Sequence, residues 1–185
     1  MSDARARRQE RDWPTLPVPF FGFRTIYEEV ARAEWDSPLG ALPPLAYADQ
    51  GKILSALAAP FQTADGIELY PSVPAKAAAM FRGLVKNHGL HDGNKRLAVT
   101  TMSTFLLANG WIPEYTNPQL YRYALRVARH AGNYPVKAIE RWVRRNCRLV
   151  SDTDLAFLRA QNRRYWAAEA DLLAIAFDPE TPVAH

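Results

Sequence analysis

Apolar positions recur at helical spacing over most of this chain, and the interruptions between the runs are short and rich in turn-forming residues. "TIYEEVARAEW" puts Ile26, Val30 and Ala33 on one stripe and predicts a short helix, ended by Pro38, Gly40, Pro43 and Pro44. "DQGKILSALAAPF" predicts a second, with Asp49 as its cap and Pro60 as its stop. In "VPAKAAAMFRGLVKNH", Ala77, Met80, Phe81, Leu84 and Val85 share a face, with Pro74 near the start and His88 near the end. "NKRLAVTTMSTFLLANGW" repeats the pattern with Leu97, Ala98, Thr101, Met102, Phe105 and Leu106, closed by Asn109-Gly110. "NPQLYRYALRVARHAGN" and "PVKAIERWVRRNC" predict two more amphipathic helices, and "DTDLAFLRAQNRRYWAAEADLLAIAF" a long or kinked last one.

Two stretches break this period. "FQTADGIELYP" flanks Asp65-Gly66 with short β-prone runs and predicts a hairpin, the only β structure expected. Within residues 1–24, "WPTLPVPFFGF" reads as an extended arm lying on the core. The expected fold class is therefore all-α, a helical bundle with one small β-hairpin.

Composition narrows the picture. A chain of 185 residues, 48% hydrophobic, can bury one sizeable core and is short for two. The single Cys147 excludes an intrachain disulfide framework and a cysteine-based zinc cluster, and four scattered His leave little for a structural metal. No apolar run approaches the roughly 18 residues of a membrane span, and "MSDARARRQERDWP" lacks the apolar core of a signal peptide. A cytoplasmic protein with no membrane partner is expected. The net charge of +4 suits an anionic ligand or simply a soluble surface. Arg122, Arg126, Arg129, Arg141, Arg144, Arg145 and Arg148 read as a solvated helix face; a nucleic-acid-binding helical domain is the rival class, and nucleic acid is not the expected partner.

Chemistry is concentrated in "KNHGLHDGNKRLAV", Lys86 to Val99, between two apolar helices. His88 falls at the end of one helix; Asp92-Gly93 makes a turn; Asn94, Lys95 and Arg96 open the next helix. The first amides of a helix lack internal partners and the dipole there favours anions, so these amides beside Lys95 and Arg96 form a phosphate cradle. Asp92 offers a hard oxygen to Mg²⁺, and His88 can take a proton from an attacking hydroxyl. No Ser or Cys stands beside the His as a nucleophile, so the layout is one of phosphoryl or nucleotidyl transfer rather than hydrolysis by a triad. His91, His130 and His185 read as bystanders.

"HGLHDGNKR" resembles the His-x-Phe-x-Asp/Glu-Gly-Asn-x-Arg signature of the Fic/Doc (Fido) superfamily, with Lys95 following the death-on-curing (Doc) branch. "KILSALAAPF", "GIELYP", "KAAAMFRGLVKNH" and "FLLANGW" resemble that branch in the same order. The resemblance implies a Fido-type bundle over residues 45–148 and does not account for the arm and helix before it (1–44) or the helical extension after it (149–185). It implies His88 as general base, Asp92 as the Mg²⁺ ligand, and Gly93, Asn94 and Arg96 on the phosphates of ATP or another nucleoside triphosphate. It makes the hairpin of Asp65, Gly66, Ile67, Glu68 and Leu69 a flap that pairs with a target's main chain. Two departures from the adenylylating branch, Lys95 for Gly and Val99 for a second Arg, imply Doc-like phosphorylation of a translation elongation factor. Protein adenylylation and a catalytically silent binding module are the alternatives. Leu90 replaces the Phe that anchors the loop. No self-inhibitory Ser/Thr-x-x-x-Glu-Gly/Asn segment is present, since Thr25 to Glu29 is followed by Val30, so a toxin restrained by a small antitoxin protein is expected.

Overall fold

The computed structural model describes residues 15–32, 44–151 and 153–154. Helix α1 (Phe20–Arg32) is followed by α2 (Gln50–Ala58), a 3₁₀ turn (Ala59–Phe61), strands β1 (Thr63–Ala64) and β2 (Ile67–Glu68), then α3 (Val73–Lys86) and α4 (Asn94–Ala108). Strand β3 (Trp111–Pro113), α5 (Asn117–Arg129), α6 (Val136–Asn146) and β4 (Cys147–Leu149) complete the first compact unit, which closes at Leu149. The mostly helical architecture matches the expected Fido-type bundle.

Helix α3 is the axis of the unit. Ser72 caps it by accepting from the Ala75 N–H at 3.3 Å, Pro74 sits in its first turn, and it is buried without interruption from Val73 to Phe81. Such all-round burial marks a central helix, and α2, α4, α5 and α6 all pack against it. The expected stripes of α3 and α4 are all buried. Asp49 caps α2 as expected, its carboxylate accepting from the Lys52 N–H. Asn109 caps α4 and also binds both backbone groups of Leu16, so the described part of the arm, residues 15–19, is clamped to the end of α4. A capping box between Thr116 and Gln119 opens α5.

Two findings depart from the sequence expectations. Helix α1 begins at Phe20, inside the predicted arm, and buries Phe23, Tyr27 and Val30; Ile26 is only half-buried, and Ala33 lies outside the described residues. Counting Tyr27 as a core residue rotates the stripe, and α1 thereby joins the same core as the later helices. The hairpin is not the only β structure: β3 and β4 pair antiparallel, Trp111 opposite Leu149. The last predicted helix lies outside the described residues beyond its first turn, where Ser151 and Asp154 exchange capping hydrogen bonds. The Arg-rich stretch shows the expected solvated face, with Arg144 on α6 paired to Glu140 and Arg148 on β4 to Glu114. Among the described residues no helix is long and apolar enough to cross a membrane.

Candidate active site

His88 follows the end of α3 in a left-handed conformation, φ 48°, with its side chain exposed. A non-glycine residue there carries strain of about 1 kcal/mol or more and persists only when its surroundings hold it. The hold comes from the segment before α2. The Gly89 carbonyl accepts from the Ala48 and Asp49 N–H groups at 3.0 and 3.1 Å, the His91 N–H donates to the Ala46 carbonyl at 3.2 Å, and Tyr47 bridges Leu90 antiparallel. A Cβ on Gly89 would stand 2.5 Å from Ile53 Cδ1, so a larger residue here would have to displace Ile53.

Leu90 is buried at 2% exposure, filling the anchor position with its smaller side chain. Asn94 then closes the loop on itself: its carbonyl accepts from the Leu90 N–H at 2.9 Å and its amide donates to the Leu90 carbonyl at 2.8 Å. The Asn94 side chain is thus committed to the fold, and what it turns toward a ligand is its backbone.

Asp92 is 66% exposed at the mouth of α4, its carboxylate accepting from the Gly93 N–H. Gly93 takes φ 82° at the helix cap and supplies no side chain to cover the first-turn amides. Lys95 is half-buried in that turn. Arg96 is buried, with Nη2 3.5 Å from Asp92 Oδ2, so an anion at this end of α4 meets a guanidinium already aligned by a carboxylate. Tyr27, which is not among the expected site residues, belongs to the same neighbourhood. Its hydroxyl pKa is held above the ordinary value, first by burial and then by the Asp92 charge, with Arg96 opposing. Its only signal in sequence was its place between Phe23 and Val30 on the buried stripe of α1.

The structure brings Asp92, Gly93, Asn94, Lys95 and Arg96 to one helix end with His88 across the loop, and it leaves the hairpin apart. Asp65 and Gly66 turn with φ 51° and 74°, and Thr63 pairs with Glu68. Glu68 is bound 2.9 Å from the buried Lys76 Nζ in the first turn of α3, whereas His88 lies beyond its last. At 1.5 Å per residue, α3 puts roughly 20 Å between the hairpin's anchor and the loop. The backbone lying along the loop is instead that of Ala46–Asp49. His91 is exposed, His130 stacks edge-on against Tyr134, and His185 lies outside the described residues.

Residues 22–106 match the model of the Fic/DOC family, a span that starts within α1 and takes in the whole loop. Toxin Doc of Mycolicibacterium smegmatis (strain ATCC 700084 / mc(2)155) is 45% identical over 62 residues, 34% of this chain and 48% of that protein. The chain thus matches about half the length of this curated relative. No solved structure matches. Loop, family match and relative together identify residues 22–106 as belonging to the Fic/Doc (Fido) superfamily, with their likeness on the side of its Doc toxin branch.

Proposed function

We propose that this chain transfers the terminal phosphoryl group of a Mg²⁺-bound nucleoside triphosphate, such as ATP, to a protein hydroxyl, acting as the toxin of a toxin–antitoxin pair. The observation that carries the reading is the arrangement around one loop: an exposed His88 in a strained backbone on one side, and a carboxylate, uncapped helix amides and two cations on the other.

The residues fit the metal. Among the described residues no group of three or more His, Cys, Asp and Glu forms an all-protein cage, but Mg²⁺ keeps several waters and takes phosphate oxygens, so the exposed Asp92 carboxylate is a sufficient ligand. Bound there, Mg²⁺ supplies charge neutralisation on the phosphates. The chain's own residues do the rest. His88 takes the proton of the target hydroxyl; the oxygen attacks the terminal phosphorus; the bond to the bridging oxygen breaks and the nucleoside diphosphate leaves. The first-turn amides of α4, with Lys95 and Arg96, hold the phosphates in line. Val99, where the adenylylating branch carries a second Arg, is buried and apolar, which supports phosphoryl over nucleotidyl transfer.

We propose a translation elongation factor as target, on the resemblance of the loop to the Doc branch, and a small antitoxin as partner, a reading that the likeness to Toxin Doc supports. Incubating the pure protein with Mg²⁺-ATP and bacterial lysate, then weighing the intact products, tests the chemistry. A gain of one phosphate on a protein is expected; a gain of one nucleoside monophosphate, or no modification, overturns it. His88→Ala should lower the transfer rate about 10²- to 10⁴-fold and relieve growth arrest, while the fold survives because the side chain is exposed.

A further inference from the structure

Both neighbours of His88 are fastened to the first turn of α2. On one side, Asn87 donates from Nδ2 to the Lys52 carbonyl at 3.4 Å, and its N–H donates to Gly83 at 2.9 Å. On the other, the Gly89 carbonyl takes two amides at the entry to α2, and a Cβ on Gly89 would meet Ile53 and, at 3.1 Å, the Asp49 carbonyl. The helices themselves are interlocked one turn earlier, where a Cβ on Gly83 would stand 2.8 Å from Ala56 Cβ. His88, by contrast, is exposed. Its position is inherited from its neighbours.

We propose that the first turn of α2 is the platform that positions the base, with Asn87 and Gly89 as positioning residues on either side of His88. The inference rests on the reading of His88 as the base. It follows from the geometry: a left-handed, non-glycine residue with an exposed side chain keeps its strained backbone when the chain on both sides is held. Here both holds lead to Asp49–Ile53. A displacement of about 1 Å at a reacting group can cost roughly 10²-fold in rate, so a small change at either hold should be read in turnover rather than in nucleotide affinity.

The test uses the full chain, γ-labelled Mg²⁺-ATP and bacterial lysate protein as acceptor. Gly89→Ala forces a Cβ against Ile53, and Ile53→Ala in the same chain removes the obstructing carbons. The single variant should shift the backbone resonances of His88 that report its left-handed φ and lower label transfer about 10²-fold. Its Mg²⁺-ATP Kd should stay within about twofold, and the double variant should recover part of the rate. Asn87→Asp, which keeps size and removes the donor, gives a second route if Gly89→Ala fails to fold, with a smaller loss in the same direction. Unmoved His88 resonances in both variants overturn the platform, as does normal turnover with moved resonances. If wild type transfers no label, the proposed chemistry fails, and the resonances alone decide whether α2 sets the position of His88.

Discussion

Replacing Asn94 by Ala removes a side chain that lies in the signature but faces the fold. Its two hydrogen bonds, 2.9 and 2.8 Å, are to the N–H and C=O of Leu90, a residue too buried for water to substitute. Leaving a buried polar group without its partner costs about 1–3 kcal/mol, so the two together should cost about 2–5 kcal/mol once the released side-chain entropy is credited. Against a typical stability of about 5–15 kcal/mol this is a large fraction. Lys95→Ala, one residue on, supplies the contrast. Lys95 is half-buried and makes no side-chain hydrogen bond among the described residues, so its loss should stay within about 0.5 kcal/mol while weakening Mg²⁺-nucleotide binding. Urea titration of both variants, followed by circular dichroism, should show a lower midpoint with unchanged slope for Asn94→Ala and a wild-type curve for Lys95→Ala. A midpoint for Asn94→Ala within about 0.5 kcal/mol of wild type would refute the assignment of this side chain to the loop's own stability.

Other perturbations read other parts of the structure. Glu68→Ala strands the Lys76 ammonium, whose side chain is only 3% exposed and which otherwise meets the Phe61 ring; a loss of about 1–3 kcal/mol is expected, discounted for the half-exposed carboxylate, and thermal melts measure it. Burial pushes the Cys147 thiol up to about 12, so it should react with a thiol reagent at pH 8 far more slowly than the urea-unfolded chain. Because the folded pKa exceeds the ordinary value of 9.0, the contribution of this thiol to stability is complete below pH 9 and is lost as the pH rises toward 12; a pH series of melts should show the decline on that side only. Val99→Arg, intended to restore the adenylylating branch's second Arg, should instead bury a charge on the core face of α4 and lower the melting temperature sharply without producing nucleotidyl transfer.

The helices were legible because each repeats its apolar positions locally. In α3 and α4 every expected core residue is buried, and the caps at Asp49 and Asn109 were written in single residues. Where a residue type is ambiguous the reading slipped. Phe20, Phe23 and Tyr27 stand among prolines and acids, and an aromatic-proline run suits an arm as well as a helix, so α1 was begun late and turned onto the wrong stripe. The β3–β4 ladder was invisible for another reason: Trp111–Pro113 and Cys147–Leu149 are three residues each and lie more than thirty positions apart, so neither shows a period and nothing local announces the pairing.

The site divides along the same line. Asp92 to Arg96 could be recognised because turn, helix start and charges are consecutive, and a contiguous signature survives translation into structure. Which of those side chains faces a ligand could not be recognised, since consecutive residues on a helix point about 100° apart and only packing decides which way is inward. Asn94 turned in and Asp92 turned out. The brace was harder still. Ala46–Asp49 holds the loop entirely through backbone amides and carbonyls, which every residue but proline carries in full, so "AYAD" has no composition that could advertise the role. The single trace in sequence is Gly89, and a glycine after a histidine reads as a flexible joint until Ile53 is found 2.5 Å from the Cβ it lacks. It is there as a tight contact, and the proposed hold on His88 passes through the residue that looks most free.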